Sequence, residues 1–379
     1  MPLSLISCGN KELTVTIEND TERNLGVRLI ELPASEVFDK IDAPFFYVVD
    51  ADGTEVPSQL TADSLVVFPA DVAPGKTAKY SILPSDTVHT YPSVVEGTVY
   101  EKRRDDISYE NEYTGYRIYG PGTQKAGETA YGYDLFFKYP GEELVLAQLY
   151  APETDDAVWA RVDSLRAIDP ALAEEYIQSF SYHIDHGKGM DCYAVGPTLG
   201  AGVAALVKQD TIRYPWCYQT AEIIDNGPLR FTLRLDFAPV EIGGDTVTEH
   251  RLITLDSGSR LNKTKVWYDG LKENMQIVAG FPLRDDTAPL RLEESNIIAY
   301  SDPTQGDSNG RALLGIRLEE KADSIFEKDG HILISGRLIP GGSFNYNWGF
   351  SWDKTDFHTM EEWKNYLENS ALSYKVTVN

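Results

Sequence analysis

The chain has 379 residues, with 34 Lys+Arg against 59 Asp+Glu and a formal net charge of −25. Such a balance repels phosphate backbones, and no Lys/Arg block supplies a local footprint, so nucleic acid is excluded as a partner. A hydrophobic fraction of 42% permits a real core, and the length suits two domains or one large β domain with an appendage. The 22 Tyr and 6 Trp point to β structure and to ring-stacking surfaces.

At the N-terminus, Leu5-Ile6-Ser7-Cys8 is followed by Gly9-Asn10, a lipobox-like ending. The apolar stretch before Cys8 is shorter than the roughly 7 to 15 residues of a complete signal core. Residues 1–9 therefore read as the remnant of a lipoprotein signal and a tether. The expectation is an exported protein, periplasmic or an outer-membrane lipoprotein of a Gram-negative bacterium, touching membrane only through a lipid on Cys8. A casual cysteine is the alternative. No stretch elsewhere reaches the roughly 18 apolar residues that span a bilayer.

Residues 10–88 alternate short apolar runs with turn residues. Leu13–Ile17, Gly26–Ile30, Phe45–Val49, Glu55–Leu60, Leu65–Phe68 and Ala78–Leu83 are the predicted strands, with Asp52-Gly53 as a hairpin turn. This spacing predicts a small N-terminal β-sandwich. The turn-rich Pro84–Pro92 separates it from a second domain, residues 95–379. There, Leu229 to Phe237 alternates apolar and polar residues as a half-buried strand. Val247–Leu255, Arg260–Tyr268, Met275–Phe281, Leu313–Leu318 and His331–Leu338 follow the same pattern, with their charged residues expected in solvent. Helix signals are few: Asp169-Pro170 opens one over Ala171–Ile177, and Trp363, Tyr366 and Leu367 share a face of another over Thr359–Leu367. The fold class is all-β, a small sandwich followed by a large antiparallel β domain with a few short helices.

Chemistry concentrates in two segments. Tyr182-His183-Ile184-Asp185-His186-Gly187-Lys188-Gly189-Met190-Asp191-Cys192-Tyr193 places two of the six His beside permissive glycine backbone. Three readings stay open. His183 or His186 acts as base or acid with Tyr182 or Tyr193 as proton donor and Lys188 as anion clamp. Alternatively His183, Asp185 and His186 bind a divalent metal, or the loop is structural. The second segment, Lys102-Arg103-Arg104-Asp105-Asp106, could receive an acidic substrate group through Arg103 and Arg104; alternatively these arginines pair with Asp105 and Asp106. Tyr116, Tyr119, Tyr131 and Tyr133 could line a sugar-stacking face or pack a sheet. Glu249-His250-Arg251 is given a secondary role. Cys192 and Cys217 could pair or remain free thiols. Nucleophile elbows, Walker loops and dinucleotide fingerprints are missing, which removes acyl transfer, nucleotide hydrolysis and dinucleotide redox.

Arg103–Glu112, Tyr116–Pro121, His183–Tyr193 with Val195–Gly200, and Asp225–Arg230 occur in this order, and together they resemble a family of uncharacterised domains found in polysaccharide-utilisation loci of Gram-negative bacteria. The resemblance implies a β-supersandwich of the galactose-mutarotase and polysaccharide-lyase kind. A dehydratase acting on ulvan oligosaccharides is similar; it leaves a 4,5-unsaturated uronate. The family's Trp-Glu-Asn-Asp stands here as Tyr109-Glu110-Asn111-Glu112, so the substrate need not be the same. The expected function is β-elimination from a uronate-containing oligosaccharide, by a carbon–oxygen lyase of the dehydratase or exo-lyase type. His183 and His186 would transfer protons with Tyr193 or Tyr182. Arg103, Arg104, Glu110, Asn111, Lys188 and Asp191 would hold substrate. No organic cofactor is required, and a divalent metal stays open. The competing readings are a non-catalytic glycan-binding lipoprotein and a mutarotase or epimerase on the same fold. All lean on the imidazoles and guanidiniums meeting in one cavity.

Overall fold

The computed structural model describes residues 12–141 and 143–379. Five sheets organise the described residues, each antiparallel and built chiefly from neighbouring hairpins. Leu13–Glu18, Phe45–Val49, Glu55–Val56 and Thr77–Ser85 form one sheet of the N-terminal sandwich. Arg28–Pro33, Gln59–Leu60 and Leu65–Ala70 form the facing sheet. Leu13, Val15, Ile17, Val66 and Phe68 are buried between them, as period-two alternation requires. A helix over Ala34–Ile41 crosses an end, burying Ala34, Val37 and Ile41. That spacing of three and four was legible in the sequence but is eclipsed there by the strand pattern around it.

The chain's last strand, Lys375–Val378, which the sequence reading assigns to the large domain, instead completes this small sandwich by pairing with Val15–Glu18. Tyr374 fixes that return: its hydroxyl donates to the Gly26 carbonyl at 2.7 Å and accepts from the Val72 amide at 3.1 Å. The two domains meet through polar contacts. Gln59 Oε1 accepts from the amides of Leu229 and Arg230, and Asp225 accepts from the Ala62 amide. Arg230 is a correction to the solvated-face expectation. It is buried in a bidentate pair with Asp256, at 2.6 and 2.9 Å, and reaches Glu31 across the domain boundary.

The large domain is a layered β assembly around a nine-stranded sheet. One face of that sheet packs against two five-stranded sheets, and residues of all three share a single core. Aromatic contacts tie the layers: Tyr133 stacks on Trp348 with centroids 4.0 Å apart, and Tyr109 stacks on Phe231 at 4.8 Å. Tyr116 meets Trp348 edge-on at 5.1 Å. Tyr116 and Tyr133 are therefore core residues and cannot form a sugar-stacking face. The opposite side of the nine-stranded sheet is covered by the helix Met360–Asn369, which buries Trp363 and Leu367 and starts in a capping box between Thr359 and Glu362.

The helical content exceeds what the sequence suggests. Leu146–Thr154, Asp156–Ile168 and Pro170–Gln178 run in succession. The middle helix buries only Val162, so it carries almost no apolar stripe.

Candidate active site

The site lies on the outward face of one five-stranded sheet, in the order Gly189–Met190, Asp134–Lys138, Gly115–Ile118, Asp106–Asn111, Val95–Tyr100. Alternation sends Ile107, Tyr109, Tyr116, Ile118, Leu135 and Phe137 into the core. The intervening Asp106, Glu110, Arg117, Asp134, Phe136 and Lys138 therefore point the other way. In most antiparallel sandwiches that face meets water. Here the helical excursion roofs it, and Phe136, Leu146, Tyr150 and Tyr182 pack as a separate apolar cluster.

The roof is fastened by a buried ion pair. Lys138 Nζ lies 2.6 Å from Glu110 and donates to the carbonyls of Asn111 and Glu143. The other Glu110 oxygen accepts from the Leu146 amide at 2.6 Å, capping the first helix. Asn111 donates to the carbonyls of Asp256 and Ser259 and accepts from the amides of Tyr113 and Thr114. Glu110 and Asn111, expected to bind substrate, thus hold the scaffold, and their polar atoms are already engaged.

Between sheet and roof sits a charged cluster. Arg117 grips Asp106 through Nε and Nη2 at 2.9 and 2.5 Å, and its Nη1 lies 3.7 Å from Asp134 and 3.9 Å from Asp191. Tyr119 donates to Asp134 at 2.6 Å, and the Arg117 guanidinium lies 4.5 Å from the Tyr119 ring. Burial raises the carboxyls of both Asp134 and Asp191, with the Asp191 charge adding to the effect at Asp134 and Arg117 opposing it at both. Their titrations are linked through that charge.

Arg103 closes the cluster from the side. Arg104 and Asp105 both have positive φ, 63° and 62°, in the turn that follows it. Gly120 permits that turn, since a Cβ there would strike the Asp105 carbonyl. The Arg103 guanidinium lies 3.8 Å from the Tyr150 ring centroid and 4.9 Å from that of Tyr182, and donates to the Tyr182 hydroxyl at 3.3 Å. It is 9% exposed, and its Nε and Nη1 have no hydrogen-bond partner among the described residues. Beside it, His183 Nδ1 lies 3.0 Å from the Asp191 carbonyl oxygen. A carbonyl only accepts, so Nδ1 carries the proton and Nε2 presents a lone pair. The His183 side chain is 56% exposed, so its ring meets solvent at the rim of an otherwise buried cluster.

This arrangement sets a partly unpartnered guanidinium beside an exposed imidazole. A match to the family described as Domain of unknown function (DUF4861) runs over residues 17–378. The chain belongs to this family. A relative in Formosa agariphila carrying the name Uncharacterized protein P7 is 26% identical over 366 residues, 93% of this chain and 84% of the relative. Among solved structures, a protein in the Glycosyl Hydrolase Family 38 from Enterococcus faecalis aligns with TM-score 0.50 and 9% identity over 98% of this chain. An α-mannosidase from Enterococcus faecalis V583 aligns at 0.49 and 9% over 97%. The chain spans about half the length of these two structures, 48% and 46%. At this identity the likeness concerns the fold alone.

In this DUF4861 member the residues singled out by sequence divide sharply. Arg103, Tyr182, His183 and Asp191 come together. His186 lies exposed on the loop. Arg104 points outward and pairs with Glu128, and Asp106 pairs with Arg117, not with either arginine before it. Lys188 is occupied at the surface by Glu143 and Gln148, at 2.8 and 2.7 Å. The trio His183, Asp185 and His186 does not gather: Asp185 accepts from Tyr139 and from the Gly187 and Gly189 amides. No group of three His, Cys, Asp or Glu suited to a metal ion occurs among the described residues.

Tyr193 belongs to a neighbouring buried network. Its hydroxyl is 3.5 Å from Asp302, which Arg284 contacts at 3.2 Å. Burial pushes Asp302 up to about 7 against the pull of Arg284. Cys192 and Cys217 are free thiols, the former buried and pushed up to about 12 by burial. Cys8 lies outside the described residues. Sequence reasoning missed Arg117 and Asp134 as site residues, and it read Tyr119 as a sugar-stacking ring rather than as the donor to Asp134. Arg117 and Asp134 stand among apolar neighbours at strand positions, and that alternation was the available signal.

Proposed function

We propose that this protein is a carbohydrate-active β-elimination enzyme for uronate-containing oligosaccharides, acting as a dehydratase or exo-lyase. The observation that carries the reading is Arg103: a guanidinium buried between two tyrosine rings, with two nitrogens unpartnered, beside a histidine of fixed tautomer. Buried donors are ordinarily satisfied, and a substrate carboxylate is the group that would satisfy these. The fold shared with a Glycosyl Hydrolase Family 38 protein supports carbohydrate as the substrate class.

In the proposed reaction Arg103 neutralises the uronate carboxylate, which acidifies the proton at C5. His183 Nε2 takes that proton. The freed electron pair forms the C4–C5 double bond as the C4–O bond breaks, and the departing oxygen takes the Tyr182 hydroxyl proton. Arg103, already donating to Tyr182, stabilises the tyrosinate that forms. Protons exchanged with solvent return His183 and Tyr182 to their starting states. No organic cofactor takes part. Export, with a lipid on Cys8, belongs to the same proposal.

The test is turnover of uronate oligosaccharides, followed by the ultraviolet absorbance of the conjugated product. His183→Ala is expected to lower kcat/KM by about 10²-fold or more. Full activity in His183→Ala, or no unsaturated product from any uronate, overturns the reading. Mutarotation or epimerisation is the second reading, favoured by two buried carboxyls pushed up by burial, Asp134 to about 7 and Asp191 to about 6. It predicts sugar interconversion without new absorbance.

A further inference from the structure

Two cavities flank Trp216, and neither is lined by Arg103, Arg117, Asp134, His183 or Asp191. One, of about 420 Å³, is walled by Tyr214, Trp216, Phe237 and Val240, with Glu249 and Tyr268 also lining it. The other, of about 530 Å³, shares Trp216 and Ala238 with the first and extends past Lys125 and Gln219 to Asp105. Trp216 is 54% exposed. Tyr131 stacks on Tyr214 at 5.5 Å but stands 6.4 Å from Trp216 and tilted by 47°, so it braces the wall without covering the indole face. Both volumes fall within the roughly 300–1,000 Å³ of small-molecule sites.

The polar groups narrow the ligand. Glu249 and Tyr268 are each buried, and Glu249 accepts from Tyr268 at 2.8 Å and from Arg251 at 2.5 Å. Each carboxylate oxygen retains a second lone pair for a hydroxyl donor. Glu241 and Arg213 line the same cavity, so with Glu249 its lining carries two acids against one base. That balance favours a neutral ligand over an anion, and a purely aromatic ligand would leave Glu249 unmatched. A ring with an apolar C–H face and several hydroxyl donors satisfies the indole and the carboxylate together. We infer that the two cavities around Trp216 form a binding site for neutral sugar rings, distinct from the anion site at Arg103. The ring stacks on the indole and donates hydroxyl hydrogen bonds to Glu249.

Titration calorimetry of the full chain with cellobiose, xylobiose and maltose tests this, with glucuronate as the anionic probe. At least one neutral disaccharide is expected to bind. Trp216→Ala should weaken that binding about tenfold or more, which corresponds to about 1.4 kcal/mol, whereas Trp216→Phe should retain most of it. Ala238→Trp, at an exposed position bordering both cavities, should abolish it by filling the space. Thermal melts establish that the variants fold. Failure of all three disaccharides to bind, or unchanged affinity in Trp216→Ala, overturns the inference. Because Arg103→Ala should leave neutral-sugar binding intact, this outcome is separate from the fate of the elimination reaction.

Discussion

Arg103 Nη2 lies 3.3 Å from the Tyr182 hydroxyl, although 79 positions separate the two residues in the chain. The contact joins a strained turn at the sheet edge to the loop leaving the helical roof, and it brings His183 alongside. In the proposed reaction it also unites the carboxylate anchor with the proton donor.

Arg103→Lys tests the anchor. Lysine keeps the charge but lacks the planar face that lies over Tyr150 and the several fixed donors of the guanidinium. The expected result is a kcat/KM loss of about tenfold or more on uronate substrates, with a melting temperature close to that of the unmodified protein.

His183 and His186 should behave oppositely although three positions separate them. His186→Ala is expected to stay within about twofold of full activity, against the loss of about 10²-fold for His183→Ala. Equal effects in the two variants would detach the imidazole chemistry from the Asp191 carbonyl that orients His183.

The carboxyl pair predicts a pH dependence of substrate affinity. Asp134 and Asp191 are both raised by burial, so a proton persists there above the ordinary carboxylate range. As pH rises and it leaves, a negative charge appears next to Arg117 and near Arg103. An anionic substrate should therefore bind more weakly at higher pH, by about tenfold across the transition. In Asp191→Asn the Asp191 carboxylate is gone while the backbone contact to His183 remains, so KM should vary far less with pH.

Asp302 makes a stability prediction. Its folded-state value of about 7 exceeds the ordinary 3.8, so the folded protein binds this proton more tightly than the unfolded chain. The associated stability is fully present below about pH 4 and declines as pH rises toward about 7. Asp302→Asn should flatten that limb in thermal melts recorded over the same window. A steeper decline in the variant would reverse the assignment.

The roof depends on Lys138. Lys138→Met leaves Glu110 buried without its counter-ion, and the expected cost is about 3–5 kcal/mol by denaturant unfolding. Glu110→Gln in the same background should recover part of it, because the amide still accepts from the Leu146 amide without burying a charge.

Much of the fold was legible because its signal is local. Period-two alternation marks Arg230–Phe237 and Asp245–Asp256 as strands, and Asp169-Pro170 marks a helix start. The helix Asp156–Ile168 was not legible, because one buried residue leaves little pattern to read. Nor was the return of Lys375–Val378 to the first strand, since antiparallel pairing of distant segments leaves no trace in either.

For the site, residue order alone singled out the loop His183–Tyr193, where titratable groups meet permissive backbone, and the run of basic residues at Lys102-Arg103-Arg104. Choosing within them required three dimensions. Arg103 and Arg104 are neighbours in sequence, yet the positive-φ turn buries the first against two tyrosines and turns the second outward toward Glu128. Arg117 and Asp134 became visible only when the helices covered a sheet face that would otherwise be wet. Composition and alternation act over a few residues, so they determined the elements. Burial and pairing depend on which elements cover one another, and the packed structure alone decided them.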